Sequence, residues 1–184
     1  FVHRIGDLTV PIDALVADPA EQGRAMPQPG APHDQIALPA DILPDRRNSA
    51  GLDLSDESQL ANLTHALRES AATMWTAVPP SGRGEMRAVV NPADHRDPVG
   101  TVTETAMDEI DCLVASAAQS TWAAMTVTNR AAILERAADA LQARMPVLIG
   151  LLIREAGKST ANAVAEVREA IDFLRYYAVQ ARST

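Results

Sequence analysis

The sequence predicts a mostly α-helical fragment with one short β-hairpin, an α+β arrangement. Three observations carry that expectation. Apolar residues recur at helical spacing over residues 55–75 and again over 128–184. Short β-prone runs flank the turn-forming Asn91-Pro92-Ala93-Asp94. The first fifty residues hold seven of the twelve prolines, which forbids a long helix there.

Residues 1–50 read as a linker or wrapping arm, with a helical turn near Ile12 to Val16. The first convincing helix spans residues 55–75. Ser55 is its candidate cap, Asp56 and Glu57 sit in its first turn, and Leu60, Leu63, Leu67, Ala71 and Met74 form its apolar stripe. Pro79-Pro80-Ser81-Gly82 ends that element. Met86 to Val90 and Val99 to Val102 read as strands of a hairpin with a longer loop. Thr105 and Asp108 have capping-box spacing. The helix they open should turn Ile110, Leu113, Val114, Ala117, Ala118 and Trp122 inward.

Thr128 is the expected cap of the next helix, and Pro146 marks a break or the first turn of another. One stripe runs through Ile133, Leu134, Leu141, Leu148 and Leu152. A second runs through Val164, Val167, Ile171, Leu174 and Ala178. Between them, Gly157 suits a left-handed helix end with Lys158 beside the negative dipole, and Ser159 or Thr160 caps the last helix. Such faces need a partner surface.

Hydrophobic residues make up 47% of the chain and charged residues 22%, a globular balance. Aromatics are only 3%, so the core must come from Leu, Ile, Val and Ala. The net charge, 16 − 24 = −8, argues against a nucleic-acid or anionic-membrane surface. The apolar run Val147 to Ile153 is too short to span a bilayer. Cys112 is the single cysteine, which excludes an internal disulfide and a cysteine metal site and fits a reducing compartment. It is expected as a small buried hydrophobe rather than a nucleophile. His3, His33, His65 and His95 lack metal-ligand spacing and read as solvated, so no metal is expected. Gly82-Arg83-Gly84 lacks the strand and helix context of a phosphate cradle. Glu166, Arg168, Glu169 and Asp172 read as a solvated helix face. The chain begins with Phe1 rather than Met, and Phe1 to Ile5 is no signal peptide, so a piece of a longer polypeptide is expected.

Asn91-Pro92-Ala93 with Val99-Gly100-Thr101-Val102, Arg130 to Asp139, and Arg154-Glu155-Ala156-Gly157-Lys158 resemble, in order and spacing, the opening of the aldehyde dehydrogenase superfamily. A narrower likeness runs through Ala165 to Ala178, Asn48 to Leu54, and Phe1 to Ile5 with Val10 to Asp13. These resemble the L-glutamate γ-semialdehyde dehydrogenase part and preceding linker of the proline utilization A enzymes.

The resemblance implies a linker over residues 1–54, following a proline dehydrogenase barrel. It implies that residues 55–184 are the hairpin and N-terminal helices of an incomplete aldehyde dehydrogenase domain, part of that family's α/β fold. The parent would oxidise proline with FAD and then L-glutamate γ-semialdehyde to glutamate with NAD, in a bacterial cytoplasm or at a membrane, as a homo-oligomer. The family's catalytic cysteine and glutamate and its cofactor-binding motifs lie downstream of Thr184. The resemblance therefore gives this chain no catalytic or cofactor-binding residue, no cofactor of its own and no activity alone. Its partners would be the remainder of the dehydrogenase domain, including a nucleotide-binding sheet, and the barrel. Glu169 matches an acidic residue lining the aldehyde pocket, where it would meet the substrate's ammonium group or hold water and an arginine in place; the alternative is a surface helix charge. Two other readings remain, a non-enzymatic helical interaction module and the N-terminal part of a different aldehyde dehydrogenase.

Overall fold

The computed structural model describes residues 6–183, in two compact units that divide between Leu38 and Pro39. Phe1 to Ile5, with His3, and Thr184 lie outside the described residues. The first unit carries α1 (Ile12–Leu15) and α2 (Pro19–Ala25), neither with a buried residue. The first is the expected helical turn. The second was missed by counting prolines, although Asp18 accepts from Ala20 N–H and Pro19 occupies the first turn, where proline costs no hydrogen bond.

The second unit holds α3 (Glu57–Ala71), strands β1 (Trp75–Ala77), β2 (Met86–Asn91) and β3 (Asp94–Thr103), then α4 (Ile110–Ala118), α5 (Val127–Ala143), α6 (Met145–Ala156) and α7 (Thr160–Ser183). This is the expected helical fragment with a hairpin, plus one strand the sequence reading did not contain. Leu63 from α3, Ala138 from α5, Met145 and Ile149 from α6, and Ala163, Val164, Val167 and Ile171 from α7 make one buried cluster. Thus the paired C-terminal helices find much of their partner surface inside this chain, in each other and in α3.

Several boundaries move, each for a local reason. Asp56 rather than Ser55 caps α3, accepting from Ser58 N–H at 2.8 Å, while the Ser55 hydroxyl is spent on Asp53. The helix ends at Ala71, not residue 75, and Leu60 and Met74 are exposed. Trp75 to Ala77 instead pair in parallel with Gly100 to Val102. A Cβ on Gly100 would lie 2.0 Å from the Trp75 carbonyl oxygen, so glycine is what permits this approach.

The hairpin loop is shorter than expected. Asn91 pairs with Asp94, leaving Pro92-Ala93 as the turn, and Asn91 Oδ1 accepts from Ala93 N–H at 2.9 Å. Register shifts around Val90 accommodate Pro98, which has no N–H to pair.

The capping box at Thr105 is overturned. Asp108 and Glu109 pair with Arg83, and the start of α4 has no side-chain cap. The expected inward face of α4 is also overturned: the helix has no buried residue, and Ile110, Val114 and Trp122 are exposed. Trp122 lies beyond the helix in a 3-10 turn that Ser120 caps. Cys112 is exposed, not buried, because α4 presents no face to the core.

Thr126, two residues before the expected Thr128, caps α5. Pro146 sits in the first turn of α6, and Gly157 ends it at φ 64°. Ser159 Oγ accepts from Asn162 N–H at the start of α7.

Ile149 is fully buried in the four-helix cluster, whereas Val114 is 63% exposed. Ile149→Ala is expected to cost about 2–5 kcal/mol and Val114→Ala no more than about 0.5 kcal/mol, compared by urea denaturation.

Candidate functional site

The site is built from α7 and the segment before α3. Residues 48–50 are latched to the helices. Ser49, with no exposed surface, donates its N–H to Asp172 Oδ1 at 2.6 Å and its hydroxyl to Asp172 Oδ2 at 2.7 Å. Arg168 Nε donates to Ser49 Oγ at 3.1 Å, Arg175 Nη1 to the Asn48 carbonyl at 3.1 Å, and Ala50 N–H to Gln142 Oε1 at 2.8 Å. Arg168 and Asp172 are therefore half-buried anchors, not the solvated face that spacing suggested.

Two residues before the latch, Arg46 lays its guanidinium over the Tyr176 ring, 5.2 Å from the centroid. Arg46, Glu169, Asp172, Phe173 and Tyr176 then line one open groove of about 390 Å³. Phe173 stacks on Tyr177 at 6.0 Å, which steadies the aromatic wall. Glu169 is exposed, and no described side chain pairs with it. Asp172 has both oxygens engaged by Ser49. The structure thus places Glu169 at a groove with an aromatic wall, a guanidinium and one unpaired carboxylate. Sequence reasoning missed Arg46 and the aromatic residues as lining; the conspicuous Asn48-Ser49-Ala50 run beside Arg46 was the available signal.

The Arg154 to Lys158 element is a helix end, as read. The Gly157 and Lys158 N–H groups turn back to the Leu152 carbonyl, and Lys158 pairs with Glu166. It also joins α6 to the hairpin. Arg154 donates from Nε and Nη2 to Asp97 at 3.0 and 2.6 Å and from Nη2 to the Pro98 carbonyl, while Asn91 Nδ2 donates to Asp97. The hydrogen bonds from Arg154, then that from Asn91, draw the Asp97 carboxyl down to about 2.

Among the described residues there is no dinucleotide cradle. Gly82-Arg83-Gly84 lies between β1 and β2 and leads into a strand, not into a helix N-terminus. His33, His65 and His95 are exposed. Among the described residues, no helix is long and apolar enough to cross a membrane.

Residues 78–184 match the aldehyde dehydrogenase family, and the chain belongs to that family. Within it, the chain is 58% identical over 189 residues to the bifunctional protein PutA of Rhizobium meliloti, covering 100% of this chain and 15% of that protein. It superposes on a bifunctional proline utilization A structure with TM-score 0.62 at 32% identity, covering 99% of this chain and 16% of the other. A 1-pyrroline-5-carboxylate dehydrogenase from Thermus with bound NAD gives TM-score 0.62 at 26% identity, over 71% of this chain and 27% of that one. The chain spans about 15% of the length of the curated PutA proteins it matches.

Ser49→Ala removes the hydroxyl that Asp172 and Arg168 share. It is expected to destabilise by about 1–3 kcal/mol, as for a buried polar group losing its partner. Tryptic cleavage after Arg46 and Arg47 should accelerate several-fold as the segment frees itself. The Asp97 shift gives a second expectation. A carboxyl drawn below its unfolded value stabilises above about pH 4, and that contribution disappears as pH falls towards 2. Asp97→Asn should lower the thermal midpoint at pH 7 and flatten its acid dependence across that window, measured by circular dichroism.

Proposed function

We propose that this chain is the linker (residues 1–54) and N-terminal part (residues 55–184) of the L-glutamate γ-semialdehyde dehydrogenase domain of a bifunctional proline-catabolic enzyme. The observation that carries the reading is the 58% identity to PutA across the whole chain, including residues 1–77, which the family match does not reach. The parent would oxidise proline with FAD and then oxidise the semialdehyde to glutamate with NAD. In the second reaction water supplies the new carboxylate oxygen, two electrons and a proton go to NAD+, and two protons are released. Its setting would be the bacterial cytoplasm, with the barrel and the rest of the dehydrogenase domain in the same polypeptide and the whole as a homo-oligomer.

This chain's own contribution would be scaffold and substrate binding. Glu169 is the unpaired carboxylate of the groove and would meet the ammonium group of the amino-acid aldehyde. Phe173 would face the same cation with its ring. The nucleophile and the dinucleotide site would come from other parts of the parent.

The full-length polypeptide should reduce NAD+ when given L-glutamate γ-semialdehyde, and the 184-residue chain alone should not. Glu169→Gln in the full-length enzyme should raise KM roughly tenfold with little change in kcat, the size of a lost charged hydrogen bond. A full-length protein inert towards the semialdehyde would overturn the assignment, and an unchanged KM would return Glu169 to a surface charge.

A further inference from the structure

We infer that Ser49 is a positioning residue for the aldehyde site. The latch it forms with Asp172 and Arg168 holds the two walls of the groove in register, so semialdehyde affinity depends on a residue outside the groove lining. The inference rests on the groove being the substrate site, as proposed above, and concerns what keeps that site in shape.

The groove's walls come from two distant parts of the chain. Glu169, Asp172, Phe173 and Tyr176 stand on α7, and Arg46 stands on the upstream segment. The α7 wall is anchored by its own buried stripe. The upstream wall has none: over residues 39–56 Ser49 alone is buried, and Leu52 and Leu54 are only partly buried. Its attachment beside the groove is therefore polar, and Ser49 is the centre of it. Arg168 and Asp172 lie one residue before and three residues after Glu169, so the latch grips α7 on both sides of that carboxylate. Three residues of chain reach about 10 Å at most, so the fixed place of Ser49 limits where Arg46 can lie over Tyr176.

Removing the hydroxyl would leave Asp172 Oδ2 without its donor and Arg168 Nε without its acceptor. These two side chains are four residues apart on one helical face, close enough to turn towards each other. Asp172 would then leave its place in the lining, and Arg46 would gain slack on the opposite wall. Such support matters because a misplacement of about 1 Å in a site can cost about a hundredfold. On the proposed reading the reacting groups come from other parts of the parent, so the loss falls on binding rather than on the chemical step. Ser49 precedes the region matched to the aldehyde dehydrogenase family, so the support would come from the upstream segment. The plainer alternative is that Ser49 only fastens that segment, which would affect stability and leave affinity alone.

Two constants of the full-length polypeptide test this well below its thermal midpoint: KM for the semialdehyde at saturating NAD+, and the calorimetric Kd for L-glutamate. Ser49→Ala should raise both about tenfold with kcat within about twofold. Gln142→Leu removes the acceptor of the Ala50 N–H, lies outside the groove lining, and should raise both about threefold. The double variant should fall short of the product of the two, because both loosen one latch. Asp97→Asn weakens the distant hairpin joint and should leave both constants unchanged, which separates positioning from stability. Unchanged constants in Ser49→Ala, an equal rise in Asp97→Asn, or a fall in kcat alone would each overturn the inference. Gln142→Leu decides the matter if Ser49→Ala does not fold. A wild type that binds glutamate without oxidising the semialdehyde would sink the proposed reaction, and the Kd series would still judge the latch. A wild type that does neither would overturn both.

Discussion

The contact on which the site depends is the one between Asp172 and Ser49. A single carboxylate receives both the N–H and the hydroxyl of a residue 123 positions earlier that has lost all contact with solvent. Burying those donors without a partner would be costly, and ordering a loop of that length carries its own entropic cost. The latch therefore holds because it is satisfied on every side. Arg168 reaches the same hydroxyl, Arg175 ties the preceding carbonyl to Asp139 as well, and Gln142 takes the following N–H. Once Ser49 is fixed on α7, the register of the upstream segment is fixed too. Arg46 then has little choice but to lie across Tyr176.

A second joint does for the hairpin what the latch does for the upstream segment. Arg154 meets both oxygens of Asp97 and the neighbouring Pro98 carbonyl, so β3 is held at the end of α6 rather than floating on its turn. Gly157 serves the same junction. Its left-handed φ of 64° lets the chain reverse, and a Cβ there would come within 2.9 Å of Pro92 Cγ. Arg154 and Gly157 belong to one short motif because helix end and hairpin meet there.

The helical faces were legible because their information is local. Val164, Val167, Ile171 and Ala178 recur at the period of one helix, and all four are buried. The caps were legible to within a residue or two, since Ser55 and Asp56, or Thr126 and Thr128, are chemically interchangeable until one of them finds another partner. Strand β1 was not legible: Trp75 to Ala77 follow directly on a helix, and their pairing partner lies 25 residues away. The groove was legible only at Glu169, and only through a family likeness. Its other charged wall, Arg46, depends on the buried latch two residues on, which no periodicity reports.

Helix α4 marks where pattern reading stops. Its apolar residues recur as those of α7 do, and the inference that they face inward used the same rule. Yet α7 buries its stripe against α5 and α6, while α4 buries no residue. Amphipathic spacing names the face that water disfavours, and it is silent on whether a surface exists to cover that face. What separates the two helices is position in the chain's own packing. Helices α5, α6 and α7 follow one another through a one-residue link and a Gly-Lys-Ser turn, and Leu63 of α3 closes the cluster they form. Helix α4 sits between a hairpin that is anchored to α6 and a 3-10 turn with its own cap, and neither neighbour directs it onto the core. The ordering of α7 is thus what the site inherits. The helix that carries Glu169 contributes the most residues to the buried core, so the groove rests on a packed wall, and its other side, the upstream segment, is the side that the Ser49 latch makes fast.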